Sequence, residues 1–208
     1  MSASAPAAPS SNFLYGSEPK VRVAPEEYLA LDRAASTKSE YIDGEIVAMA
    51  GASLEHNLIV ANVVGALWGQ LRGRSCSIVP SDMRVFVPAT GNYVFPDATI
   101  VCGEPRLADF HQDILLNPTL IVDVLSDSTE AYDRGAKFKG YRTIAPLQEY
   151  ILVAQDKPLL ERYVRQPNGD WLLTEFSHLD AVVNLVSVGC QLPLAEVYDR
   201  VTFETLSP

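Results

Sequence analysis

"NPTLIVDVLSDSTEAYDRGAKFKGY", residues 117 to 141, is the stretch on which the reading of this chain turns. Leu120, Ile121, Val122, Val124 and Leu125 make a short apolar run between Pro118 and Ser126, the mark of a buried strand. Asp123 stands in the middle of it. A desolvated carboxylate either neutralises or takes a partner, so this position calls for a counter-charge. The residues from Ser128 to Thr143 read as a long helix capped by Ser128, and its basic side chains are the nearest candidates. Lys137 and Lys139 lie two positions, about 200°, apart on a helix, so only one of them can face the strand. Asp133, Lys137 and Tyr141 fall on one stripe at four-residue spacing, which an ordinary Asp133 to Lys137 ion pair would also explain.

Working outward, "APEEYLALDRAA" (24 to 35) reads as a short helix with Pro25 in its first turn and Glu26 and Glu27 near the positive end of its dipole. "SEYIDGEIVAMA" (39 to 50) is a hairpin around Asp43-Gly44. From the N-cap Ser53 a long amphipathic helix is expected, with Leu54, Leu58, Ala61, Val64, Leu67, Trp68 and Leu71 on its apolar side and Gly73 at its end. Strands are expected over 76 to 87, 93 to 102 and 119 to 125, with a polar connection of helical character before the last. Short strands follow at "EYILVA", "LLERYVRQ", "WLLTEFSH" and "AVVNLVSV". The sum is a mixed α/β domain over residues 22 to 200, with a flexible Ala-, Ser- and Pro-rich leader over 1 to 21 and a tail over 201 to 208.

The 208 residues and 48% apolar content suffice for one sizeable core, and a net charge of -10 argues against a protein that coats nucleic acid or anionic membrane indiscriminately. A local basic patch is compatible with it. No stretch approaches the ~20 apolar residues of a membrane span, and the N-terminus lacks the pattern of a signal peptide. Cys76, Cys102 and Cys190, far apart and without metal-ligand spacing, read as reduced buried thiols of a cytoplasmic protein.

Nucleotide-binding glycine loops, a GxSxG elbow and an HExxH zinc motif are all missing from the sequence. What remains is acidic. Asp97 follows Pro96 at the head of "DATIVC", and Asp123 lies 26 residues later. Two aspartates presented on adjacent strands make a site for Mg²⁺, which takes oxygen ligands and often uses only one or two protein carboxylates.

The order of "SEYIDGEIVAMAGASLEHNLIVANVVGAL", "SDMRVFVPATGNYVFPDATIV" and "PTLIVDVLSDSTEAYDRGAKFKGYRTIAPLQEYILV" resembles the Uma family of restriction-endonuclease-like proteins, within the PD-(D/E)xK nuclease superfamily. The likeness covers roughly residues 24 to 190. It implies a restriction-endonuclease-like mixed central sheet flanked by helices, and metal-dependent phosphodiester hydrolysis on nucleic acid, with DNA the expected substrate. It matches Asp97 and Asp123 to the two acids, and Mg²⁺ or Mn²⁺ is the expected cofactor, held by these two carboxylates and the backbone carbonyl of Val124. Leu125 stands where the superfamily's lysine usually lies, and the Uma pattern supplies that lysine from the next helix, here Lys137. Glu40 matches a family glutamate of the acidic cluster. Two departures stand out: the family usually has Glu at Asp123 and Trp at Ile151.

Arg134, Lys139 and Arg142 on the helix, with Arg84 on a nearby strand, are the expected nucleic-acid contacts. His56 matches a family position but reads as a helix-surface residue, and Tyr141 as helix packing. A homodimer is the expected assembly. The competing reading is a nuclease-fold module that has lost efficient cleavage and serves nucleic-acid or protein interaction.

Overall fold

The computed structural model describes residues 22–203. The expected leader and most of the expected tail therefore lie outside the described residues. The chain begins with α1 (Pro25–Ala34), which Pro25 opens and Glu26 and Glu27 favour electrostatically. The hairpin follows as β1 (Ser39–Ile42) and β2 (Glu45–Ala48). Its two turn residues both adopt positive φ, Asp43 at 51° and Gly44 at 90°, as the two-residue turn between twisted strands requires.

Helix α2 (Leu54–Leu71) starts where expected, with the Ser53 side chain accepting from the His56 N–H at 3.1 Å. Its buried stripe is Ile59, Val63, Leu67 and Leu71, one turn apart each. Leu54, Ala61 and Trp68, expected on that stripe, are exposed, because the helix turns the line of Ile59, Val63, Leu67 and Leu71 onto the sheet instead.

The expected strand over 76 to 87 is two strands, β3 (Cys76–Pro80) and β4 (Arg84–Val87), belonging to different sheets. The stretch 93 to 102 likewise divides into β5 (Asn92–Val94) and β6 (Ala98–Cys102). The chain changes sheets at Phe95-Pro96-Asp97, where proline removes a ladder donor. The connection expected to be helical holds turns and the two-residue β7 (Ile114–Leu115) instead. Then come β8 (Leu120–Leu125), β9 (Glu149–Ala154), β10 (Leu160–Arg165), β11 (Trp171–Phe176), β12 (Val182–Leu185) and β13 (Cys190–Pro193).

A six-stranded sheet has the order β11-β10-β9-β8-β6-β3, and a five-stranded sheet the order β2-β1-β5-β4-β7. The larger sheet is mixed: β8 and β9 are parallel and its other pairs antiparallel. All residues of β8 and β9 are buried, as a parallel pair covered on both faces requires. Alternation along β8 sends Leu120, Val122 and Val124 to one core with α2, and Ile121 and Leu125 to a second core with Phe138, Tyr141 and the five-stranded sheet. Asp123 shares the direction of Ile121 and Leu125.

The helix expected over 128 to 143 is broken in three: α3 (Glu130–Tyr132), a π-helical turn (Asp133–Lys137) and α4 (Phe138–Tyr141). The wide turn is closed by the Phe138 N–H donating to the Asp133 carbonyl five residues back. Ser128 is not its cap; the Glu130 N–H donates to the Ser126 carbonyl.

Cys76 and Cys102 also depart from expectation. They are direct cross-strand partners of β3 and β6 and form a disulfide, while Cys190 is a buried free thiol. Sequence spacing held no sign of the pairing, because sheet register alone brings the two together.

Candidate functional site

The acidic cluster forms where β6 begins and β8 ends. One step beyond the last paired residues, Ala98 and Val122, the antiparallel register sets Asp97 opposite Asp123. Residues opposite each other across two strands point to the same face. Asp97 is held on two sides: its Oδ2 accepts from the Val124 N–H at 2.7 Å, and its Oδ1 lies 3.0 Å from His56 Nε2. The N–H and C=O of one strand residue leave the same edge. The Val124 carbonyl is therefore directed to the side of Asp97, beyond the end of β6.

Asp123 is 2% exposed. Its Oδ1 accepts from Lys137 Nζ at 3.1 Å and its Oδ2 from the Tyr150 hydroxyl at 2.8 Å. The π-helical turn delivers Lys137 to this point. The same ammonium lies 3.2 Å from Asp133 Oδ1 and 3.9 Å from Glu40 Oε1. So the i,i+4 pair with Asp133 exists, and it exists together with the contact to Asp123. Glu40 is anchored by the Phe95 N–H, which donates to Oε1 at 2.9 Å. Tyr141 is fully buried in the second core, with Lys137 Nζ 6.0 Å from its ring centre, and its position is one of packing.

Charge in the cluster is lopsided. Burial pushes the Asp123 carboxyl up to about 7; Lys137 opposes this, and the negative charges of Asp133 and Asp97 reinforce it. Burial works against the Lys137 ammonium, but Asp123, Tyr141, Glu40 and Asp133 outweigh it and hold the group charged. For His56, burial is likewise outweighed by Asp97, Asp123 and Asp133, so its pKa is raised.

A divalent ion suits this setting. Among the described residues no three His, Cys, Asp or Glu side chains gather as a ready-made metal shell. The donors on offer are two carboxylates and a carbonyl, which is what Mg²⁺ commonly takes from a protein, with water and substrate oxygens for the rest. Each carboxylate oxygen has a second lone pair, so the contacts of Asp123 with Lys137 and Tyr150 do not exhaust it. The sharing of one ammonium, Lys137, among Asp123, Asp133 and Glu40, with Asp97 on the facing strand, is the observation that favours a cation here.

The four basic residues expected to meet nucleic acid separate. Arg84 is a correction: its side chain is buried, and its guanidinium pairs with Asp32 and, at 2.6 Å, with Asp113 Oδ2. A strand arginine inside a carboxylate pair cannot reach a ligand. Arg134 forks onto Glu161 through Nε and Nη2, at 3.0 and 2.8 Å to Oε1, and also meets Glu130. Lys139 and Arg142 stand exposed.

His56, expected at the helix surface, instead turns in to Asp97; Tyr150, which carried no expectation, bonds to Asp123; and Asp133 joins them through its pair with Lys137. Their contacts to Asp97 and Asp123 span 41 residues for His56 and 27 for Tyr150, so no local pattern announces them. Asp133 carried a signal, its spacing from Lys137, which has an ordinary explanation.

The family model Uma2, described as "Putative restriction endonuclease", matches residues 25–195. The chain belongs to the Uma2 family. Two Synechocystis proteins, both described as uncharacterized, are similar to this Uma2 member. One, slr1290, is 36% identical over 187 residues, covering 90% of this chain and 97% of its own. The other, sll1609, is 40% identical over 149 residues, covering 72% and 84%. A crystal structure from Anabaena variabilis, described as "a putative nuclease", superposes with a TM-score of 0.69 at 17% identity, covering 85% of this chain and 97% of that one. The fold of this Uma2 protein is restriction-endonuclease-like, a mixed central sheet flanked by helices. No helix among the described residues is long and apolar enough to cross a membrane.

Proposed function

We propose that this Uma2 protein is a metal-dependent endonuclease that hydrolyses phosphodiester bonds of DNA. The observation that carries the reading is the gathering of Glu40, Asp123 and Asp133 about one buried, charged lysine, with Asp97 on the strand facing Asp123, at the end of the central sheet. Asp97, Asp123 and the Val124 carbonyl would hold Mg²⁺ or Mn²⁺, and the bound ion would supply an acidified water and charge neutralisation at the scissile phosphate.

The chain's own groups do the rest. The Val124 N–H and His56 fix the Asp97 carboxylate from two sides, so its orientation does not depend on substrate. Tyr150 fixes Asp123 in the same way. Lys137, kept charged by its acidic neighbours, offers a fixed donor to the attacking water and to the charge growing on the phosphate. Glu40, tied to the Phe95 N–H, adds a further acid 3.9 Å from Lys137 Nζ. Two copies would be needed to cut both strands in one encounter, which motivates the homodimer.

The test is cleavage of supercoiled plasmid and single-stranded DNA by purified protein with Mg²⁺ or Mn²⁺, beside Asp97→Ala and Lys137→Ala. The wild type is expected to cut and both variants to be silent. Intact substrate throughout would leave the interaction-module reading in its place, and equal cutting by Asp97→Ala would overturn the metal mechanism based on that carboxylate.

A further inference from the structure

Lys137 turns inward, and the residues that follow it open onto a different space. A cleft of about 1100 Å³ lies between the helical segment 136 to 143, the β1–β2 and β4–β5 turns, and the β10–β11 hairpin. Tyr132, Phe138, Tyr163 and Trp171 supply aromatic wall, and Lys139 and Arg142 supply exposed positive charge. Asp43 and Asp170 line it from the turns. The aromatic wall is braced: Phe138 meets Trp171 edge-on at 5.4 Å, and the Arg165 guanidinium lies 4.7 Å from the Trp171 ring centre. Arg165 is itself pinned by the carbonyls of Leu147, Arg142 and Ile144. Tyr132 belongs to both places. It lines the cleft, and its phenol is raised by burial and then by the charge of Glu40, with Lys137 opposing and Asp133 and Asp123 adding to the rise.

Each class of occupant can be weighed against this lining. A small inorganic anion would meet Asp43 and Asp170 and leave the aromatic wall idle. A purely apolar ligand would strip water from Lys139 and Arg142 without return. A nucleotide unit uses every part: a flat ring for the aromatic side chains, amino and imino donors of the base for the carboxylates, and a phosphate for the two cations. Stacked base pairs offer no free ring face, so a duplex cannot supply that fit.

We propose that this cleft seats one unpaired nucleotide of single-stranded DNA, its base against Trp171 and its phosphate on Lys139 and Arg142. The inference rests on the nuclease reading and extends it: the cleft gives the enzyme a preference for unpaired or frayed strands next to the acidic cluster.

The experiment is a fluorescence titration in metal-free buffer, where binding is read without cleavage. The full-length protein carries Trp68→Phe, which leaves Trp171 as the reporter of the two tryptophans and replaces an exposed ring on α2. An eight-nucleotide single-stranded DNA should quench Trp171 saturably, and the matching duplex should not. By labelled-oligonucleotide anisotropy, Trp171→Ala should weaken single-strand binding by about fivefold or more. Lys139→Gln, on an exposed side chain that cannot disturb the fold, should weaken it by about threefold and flatten its salt dependence. Equal quenching by the duplex, absence of quenching, or wild-type affinity in Lys139→Gln would overturn the proposal. Mn²⁺-dependent cutting with no quenching would remove the cleft and leave the nuclease. Quenching by a protein that never cuts would do the reverse.

Discussion

Two buried charge clusters in this molecule treat their carboxylates in opposite ways. Around Arg84, Asp32 accepts from the Ser39 N–H at 2.8 Å and hydroxyl at 2.7 Å as well as from the guanidinium, and Asp113 takes a two-pronged contact from Arg33 and another from Arg84. Burial tends to raise the Asp32 pKa, but the bonds from Ser39 and Arg84 prevail and lower it; for Asp113 the Arg33 bonds lead in lowering it. Around Lys137 a single ammonium serves three acids, and burial leaves Asp123 raised to about 7. The first cluster is closed upon itself and ties α1 to β4 and the loop before β7. The second holds charge it has not balanced, and an unbalanced charge is available to a ligand.

The largest expected effect tests the closed cluster. Arg84→Ala leaves Asp32 without its cation in a buried setting and takes one of the contacts of Asp113, and should cost about 3 to 5 kcal/mol in urea unfolding. A loss within ~1 kcal/mol would mean that the cluster does not hold the fold together. Asp123→Asn should behave the other way: cleavage falls by about 100-fold or more, while the thermal midpoint stays level or rises, since a costly carboxylate has been replaced by a neutral amide. A clear drop in the midpoint would place Asp123 among the structural acids.

Acidity separates the clusters without removing either. Asp32 and Asp113 have lowered pKa values, so their contribution is present above the unfolded value near 4 and is lost as pH falls below it. Asp123 is raised, so its contribution is fully present below about 4 and is lost as pH climbs through about 7. Metal-free thermal melts should therefore show the midpoint of Asp123→Asn gaining on the wild type between pH 4.5 and 7.5. Parallel profiles would contradict the opposed signs. The smallest effect is Arg33→Lys, which keeps the charge but loses the fork onto Asp113, and should cost about 1 kcal/mol by denaturant midpoint.

Local chemistry accounts for what the sequence reveals alone. The Asp43-Gly44 turn, the Ser53 cap and the apolar run around Asp123 are each set by neighbours in the chain, and each stands where its residues imply. The division of residues 76 to 102 between two sheets was not legible, because both halves are strand-like and only packing decides which ladder each joins. The break at the π-helical turn escaped for a similar reason: Asp133 to Lys137 is compatible with an ordinary helix, and the choice is made by what Lys137 must reach.

By itself, then, the order of residues determined that Asp123 is buried in a strand, that Asp97 heads another, and that only one of Lys137 and Lys139 can turn toward them. Tertiary structure decided the remainder. Sheet register set Asp97 opposite Asp123, α2 brought His56 to Asp97, and Tyr150 closed on Asp123 from the parallel neighbour strand. Those contacts join residues distant in the chain, and their geometry depends on how strands pair and helices roll, which no local pattern of residues encodes.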